Sequence, residues 1–595
     1  MHCTDSQSTN DMRTPMLTGI ATIAACALLT FSMAAWSQSE CSDGVDNDGD
    51  GLVDWQYDLG CHGPGDPDES AQSRPEENGW TTYDPAPDTV IIYVSSAIGE
   101  DANDGRTPST PVASIGRGLE LIRDNSADWL LFRRGDTWST GFNWGERSGR
   151  SDDERIVVAS YGDSIERPRF TTGSEAGISI CCDPQSNVSF LDLDFQAHTR
   201  DPDSPDFQGP PGSLAIMRCC GGGGNLLFEG SRFRTYVSAV LQTGLDGVPV
   251  NIEFRRNVVA DNYSVDSHSQ GIYAANVDGL LIEQSVFDHN GWNENVSGAG
   301  ATIFNHNLYL NGFNVVVRGN LVTRASSMGI KFRSDNFGGM AGATIANNLF
   351  IEGEIGVSIG GNTDQPERFV DIDIRDNVFT HIGRTSPTGR DFAWYLDVID
   401  NRNVTVQRNH FLNQPLWDNA WGVRLRGGSM QDASIIDNTF YSIKGRSIQI
   451  SGNAGWSNVS IEENRVDDDN GSPLIEESGD RSGLSYSGNE YCALAPADAW
   501  FDTESGTMSL AEWQVYADEP DAALVCHDFP DPGRSVADYQ ASLGGSASFA
   551  NFVQIARQQS KLQWREAYVA PAVNEYIRDG FRVTTELFAD GFESP

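Results

Sequence analysis

The stretch Ile374-Arg375-Asp376-Asn377-Val378-Phe379 returns as Val406-Gln407-Arg408-Asn409-His410-Phe411 and again as Ile436-Asp437-Asn438-Thr439-Phe440. Each copy is a short β-rich run, a polar bend that often holds asparagine, and an apolar closing residue. Working outward, earlier copies are Ile252–Val259, Leu281–Phe287, Val316–Val322 and Ile345–Phe350. The closing positions fall at 195, 233, 259, 287, 322, 350, 379, 411, 440 and 466, in steps of 26 to 38 residues. A period near 30 without helical rhythm indicates one β-coil per repeat, whereas a propeller blade needs about 40 residues and four strands. The fold expected is therefore all-β: a right-handed parallel β-helix solenoid of about ten coils. Asparagine at the bend tolerates left-handed geometry, and its amide can bond to the copies above and below.

A second strand follows each bend, as in Gly329-Ile330-Lys331-Phe332-Arg333 and Gly422-Val423-Arg424-Leu425-Arg426. Alternation of side chains sends Ile330, Phe332, Val357, Ile359, Val423 and Leu425 inward. It sends Tyr273, Tyr309, Lys331, Arg333, Arg424 and Arg426 outward, about 4.8 Å apart from coil to coil. Ile115, Leu119 and Ile122 share one helical face, which suits a cap over the first open coil. After Ser509 the pattern turns helical, and this part is expected to cap the other end.

Arg13 precedes an apolar run from Met16 to Ala35, ending in Ala35-Trp36-Ser37, which reads as a cleaved secretory signal. The organisation expected is 1–37 signal peptide, 38–63 disulfide-closed aspartate-rich segment, 64–88 linker, 89–490 β-helix, and 491–595 helical cap and tail. The mature chain is expected outside the cell, without a membrane span. Lys plus Arg number 40 against 84 Asp plus Glu, a net charge of −44, which repels phosphate and excludes general nucleic-acid binding.

Eight cysteines follow the signal, an even number suited to an oxidising compartment. Cys41 and Cys61 bracket one loop, Cys492 and Cys526 another, and the doublets Cys181-Cys182 and Cys219-Cys220 stand one repeat apart, as cross-coil bridges require. Inside the first loop, Asp46, Asp48 and Asp50 stand at alternate positions with Asp54 beyond, and glycines permit the tight turn, an oxygen-ligand pattern for calcium. Tyr57 occupies the twelfth position counted from Asp46, so the loop is no EF-hand. It resembles the aspartate-rich calcium loops of thrombospondin type 3 and dockerin-like repeats.

Lys331, Arg333, Arg424 and Arg426 form a basic strip in an acidic chain, with Tyr273, Tyr309 and Trp394 beside it. Guanidinium groups pair with carboxylates and rings stack on sugar faces, so the strip suits an acidic polysaccharide. His268, His289 and His306 fall in two consecutive coils and offer proton carriers near neutral pH. The Tyr93-Val94-Ser95 start, the Asn103-Asp104-Gly105 turn and the bends at Asn320, Asn348 and Asn377 resemble the pectate-lyase-like superfamily of β-helix proteins. In its alginate lyase and chondroitinase B group, an arginine in a Leu-Arg-His-Gly motif acts with a lysine one coil earlier. Phe332-Arg333-Ser334-Asp335 is the similar segment here; its His-Gly half is missing and Tyr309 stands in the preceding coil. The resemblance implies a lyase acting by β-elimination, with Lys331, His289, His306 or Tyr309 as base and Arg333 or calcium neutralising charge. A glycoside hydrolase and a non-catalytic adhesin on the same scaffold are the alternatives.

Overall fold

A computed structural model describes residues 39–71, 79–180, 184–218, 222–242, 247–333, 339–361 and 368–583. The signal segment and the four doublet cysteines, Cys181, Cys182, Cys219 and Cys220, lie outside these residues.

Short strands stack in parallel, each pairing with its counterpart one coil away. One such stack runs Phe332, Ile359, Val398, Leu425, Ile450, in register throughout. Long bent strands, Gln270–Glu283 and His306–Arg318, carry the chain around a corner from one face of the coil to the next. A separate face holds fourteen strands, from Thr137–Trp138 to Ala523–Leu524. The solenoid is thus a parallel β-helix with more coils than the ten closing residues suggest. Two further coils close on Trp138 and Phe170, and Tyr491 extends the column at the other end.

The closing residues form one column, aromatic at most coils and interrupted by Val259, Val322 and Val466. Phe350, Phe379, Phe411 and Phe440 stack ring on ring, with centroids 4.6, 5.0 and 4.9 Å apart. That spacing is the strand repeat itself, so a ring at one coil fixes the place of a ring at the next.

The asparagines form a second column. Asn348 N–H donates to Asn377 Oδ1 at 2.9 Å, Asn377 to Asn409 at 3.0 Å, Asn409 to Asn438 at 2.9 Å and Asn438 to Asn464 at 3.0 Å. Each amide also donates to a strand carbonyl inside the coil, as Asn377 does to Ile345 at 2.8 Å. The ladder ends on Glu519, which accepts from Asn489 N–H. The left-handed residue is the one before each asparagine: Asn347, Asp376, Arg408, Asp437 and Glu463 all have φ between 51° and 57°. The asparagine itself is there for its side chain, to satisfy backbone groups that the bend would strand.

The helix Ile115–Leu121, capped by Ser114, closes the first coil. Leu510–Tyr516 closes the last one and buries Trp513 against Phe501, with ring centroids 4.4 Å apart. The later helices, Val536–Ser542, Phe549–Ala556 and Ala570–Asp579, do not remain at that end. They run back along the fourteen-strand face, where Phe552, Val573 and Ile577 cover Val258, Val286, Leu321, Leu349 and Val378. That apolar row cannot stay in water. Polar anchors hold the tail in register: Arg557 pairs with Asp261 and Asp288, and Asn574 donates to the Asn347 and Asn348 carbonyls. At its far reach Lys561 donates to the Cys61 carbonyl at 3.1 Å.

The aspartate-rich segment is docked on the early coils. Gly162 N–H donates to the Gln56 carbonyl at 2.8 Å, and Leu59 packs with Tyr83, Tyr93, Trp129 and Tyr161. Of the stretch read as a linker, Trp80 packs edge-on against Trp564 and Tyr83 bonds Ser189.

Candidate functional site

Coil stacking builds one outward row: Tyr273, Tyr309, Lys331, Ser358, Asp397, Arg424, Gln449, Glu476. Neighbours in this row sit one strand spacing apart, about 4.8 Å. Tyr273 and Tyr309 stack with centroids 5.5 Å apart, and the His306 ring lies parallel to Tyr309 at 5.6 Å.

Lys331 occupies the middle. It points away from the core yet is only 8 % exposed. Its ammonium donates to Ser358 Oγ at 3.0 Å and to the Gly360 carbonyl at 2.6 Å. Burial pushes the Lys331 amine down to about 8; Asp397 opposes this, and Arg333 and Arg426 add to it. Asp397 is gripped by Arg426 through two bonds of 2.9 Å, one to each carboxylate oxygen. Arg424 donates to Gln449 at 2.8 Å and lies over the rings of Trp421 and Trp394 at 4.3 and 5.1 Å. Trp394 and Trp421 pair across coils, extending the aromatic platform.

The structure gathers most of the residues singled out by sequence and separates one. His306 belongs with Lys331: burial first, then the charges of Lys331, His268, Arg333 and Arg390, hold it well below the usual histidine range. Its Nδ1 has no hydrogen-bond partner among the described residues. His289 stands apart, at the bend facing the C-terminal tail. Both of its ring nitrogens are engaged, by Asp261 at 2.9 Å and Glu294 at 3.0 Å. Arg333 follows Phe332 on the outward side and is close enough to act on both Lys331 and His306. Ser358, Trp421 and the pair of half-buried Arg390 with buried Glu354 are part of the site that sequence reading missed. Only Trp421 carried a usable signal, one residue before Gly422 in a strand already identified.

A groove of about 480 Å³ on the adjacent face is lined by Tyr83, Arg155, Asn251, Glu253, Arg255 and Arg318. It does not include the Lys331 row, where buried amine, neutral imidazole and paired carboxylate meet.

In the N-terminal segment, the carboxylates of Asp46, Asp48 and Asp50 lie within 4.8 Å of one another. Asp54 instead accepts from Gly44 N–H at 3.0 Å and closes the loop. A second group, Asp58 and Glu69, sits directly below and is fully buried. Asp50 Oδ2 and Asp58 Oδ2 have no partner among the described residues. Burial, reinforced by the neighbouring carboxylates, pushes Asp50 up to about 6 and Asp58 to about 8. Buried carboxylate oxygens without donors fit a hard cation. The Cys41–Cys61 disulfide closes this segment and Cys492–Cys526 ties the start of the tail to the last coils.

No protein-family model matches the chain, and no curated protein matches it significantly. Among solved structures, a GH136 lacto-N-biosidase from Eubacterium ramulus aligns at 13 % identity over 69 % of this chain and 67 % of its own, with a TM-score of 0.32. PfbA, a surface adhesin of Streptococcus pneumoniae, aligns at 11 % identity over 64 % of this chain and 86 % of its own, with a TM-score of 0.36. An alginate lyase from Paenibacillus sp. aligns at 13 % identity over 61 % of this chain and 98 % of its own, with a TM-score of 0.34. Likenesses this distant leave the chemistry to be argued from the chain's own residues.

Proposed function

We propose that this is a secreted polysaccharide lyase that cleaves an acidic, uronate-containing polymer by β-elimination. The observation that carries the reading is the Lys331 amine, sheltered from water and set between Tyr309 and the Asp397–Arg426 pair. A base must be neutral to accept a proton, and burial brings Lys331 within reach of that state near pH 8. In the proposed step, Lys331 Nζ takes the proton from the carbon beside the uronate carboxylate. The electron pair forms the new C=C bond, the glycosidic C–O bond breaks, and the departing oxygen gains a proton from Tyr309 or water. Arg333 pairs with the carboxylate as charge builds on it. Tyr273, Trp394 and Trp421 give faces for neighbouring sugars to stack on.

Incubating purified protein with uronate polymers tests this directly. The expected result is growth of ultraviolet absorbance from the unsaturated product. New reducing ends without absorbance would replace the lyase by a hydrolase, and binding without either would indicate an adhesin.

Calcium is proposed for the aspartate-rich segment, held by Asp46, Asp48 and Asp50 with Asp58 and Glu69 beneath. Its role there is to neutralise carboxylates that form no salt bridge among the described residues, and so to hold the segment on the early coils.

A further inference from the structure

A cluster of arginines lies far from the Lys331 row, on the early coils of the fourteen-strand face. Arg169, Asp194 and Arg232 are register partners on three successive strands. Asp194 accepts from Arg169 Nε at 3.3 Å, from Arg232 Nε and Nη2 at 2.9 and 2.7 Å, and from Arg234 Nη2 at 3.4 Å. Behind it, Asp192 accepts from Arg134, from Arg167 Nε at 3.2 Å and from Ser160 Oγ at 2.8 Å. Five guanidinium groups therefore share two carboxylates, leaving three positive charges unmatched within the cluster. Exposed Glu166 lies close enough to act on Arg232, and half-buried Lys561 adds a further cation beside Arg134.

This surplus is local and runs against a chain of net −44. Guanidinium groups that leave water need partners. Here Arg234 Nε and Arg134 Nη1 are buried without any among the described residues. The outer three side chains remain reachable: Arg169 is 43 % exposed, Arg232 18 % and Arg234 23 %. Arg169 and Arg232 stand two strands apart with Asp194 between them, and Arg234 follows on the Arg232 strand. Planar forks spread in this way match the oxygens of carboxylate or sulfate groups along a polymer.

We propose that Arg169, Arg232 and Arg234 form an anion-binding site for carboxylate or sulfate groups of an acidic polysaccharide, separate from the Lys331 row. The experiment uses the full chain with heparin, polygalacturonate and inorganic sulfate as probes, followed by calorimetry at two ionic strengths. Wild type is expected to bind at least one polymer, more weakly at higher salt. Arg169→Gln with Arg234→Gln leaves Arg232 paired with Asp194 and should weaken binding about tenfold or more. Arg169→Gln alone, at the most exposed position, serves if the double variant melts early, and should weaken binding in the same direction. Arg402→Gln, an exposed arginine that belongs neither to this cluster nor to the Lys331 row, should bind polymer as wild type does. Competition by sulfate assigns it to oxyanions generally; preference for polygalacturonate assigns it to carboxylates. Failure of wild type to bind either polymer, or binding by Arg169→Gln within twofold of wild type, would overturn the proposal.

Discussion

Phe332 enters the core between Leu310 and Ile359, while Lys331, one residue earlier, turns outward beneath its neighbours. The two positions should therefore answer opposite questions. Phe332→Ala opens a cavity in a packed column and should cost about 3–5 kcal/mol of stability, read by denaturant unfolding. Lys331→Met keeps the aliphatic stem and removes a buried cation, so stability should move by less than about 1 kcal/mol. If the proposed chemistry holds, its turnover should fall a hundredfold or more, equivalent to about 3 kcal/mol in the barrier. The wild-type rate should climb as pH rises through about 8, because the deprotonated amine is the active form. Full activity in Lys331→Met would move the base to His306 or Tyr309. The identity of these residues as outward-facing was legible from alternation alone. That Lys331 would be covered was not, since the cover comes from Ser358 and Gly360, a coil away and nearly thirty residues on.

At the scale of elements, the ladder asparagines are the most exacting feature. Asn377→Ala would strand the Asn348 N–H and the Ile345 carbonyl inside the coil. Each buried group left unpaired costs about 1–3 kcal/mol, so the variant should melt well below wild type although no large side chain is lost. The repeat was readable because an apolar residue after a polar bend is a strong signal, one that did not extend to the coils at Trp138 and Phe170. The course of the tail was written in the sequence less plainly. Val258-Val259, Val286-Phe287, Leu321-Val322, Leu349-Phe350 and Val378-Phe379 are doubled apolar pairs, and a strand that alternates shows such pairs only when both its faces are buried. The pairs give way to His410-Phe411, Thr439-Phe440 and Arg465-Val466 further along. Val573→Asp tests the covering helices: a charge placed where Val573 is fully buried should detach them. Limited proteolysis should then cut between 527 and 583 while the β-sheet circular dichroism persists. Continued protease resistance would mean that the helices are held chiefly by Arg557 and Asn574.

Across the whole molecule, charge and connectivity act together. The N-terminal segment meets the early coils through Gln56 and Leu59, and the tail through the Lys561–Cys61 contact. Calcium bound there should stabilise the assembly by mass action, so chelation should lower the melting temperature and added calcium restore it. Asp58→Asn removes one buried carboxylate and should weaken the calcium dependence, measured by calorimetry on the full chain. A melting temperature indifferent to both chelator and calcium would remove the metal from this segment. Asp46, Asp48 and Asp50 were visible as a motif, but Asp58 and Glu69 become partners only when the disulfide loop folds over them.

Solenoids are usually free to gain or lose a repeat, because each coil touches only its neighbours. The returning tail withdraws that freedom here. It leaves the last coils near Cys526, meets Asp288 and Asp261 through Arg557 and Cys61 through Lys561, then turns back to Asn347 through Asn574, so its anchors lie at set heights along the stack. Removing one coil would shift every later anchor by one strand spacing, about 4.8 Å, against its partner. The tail thus works as a measuring tape, and the number of coils is a quantity that this chain checks against its own length.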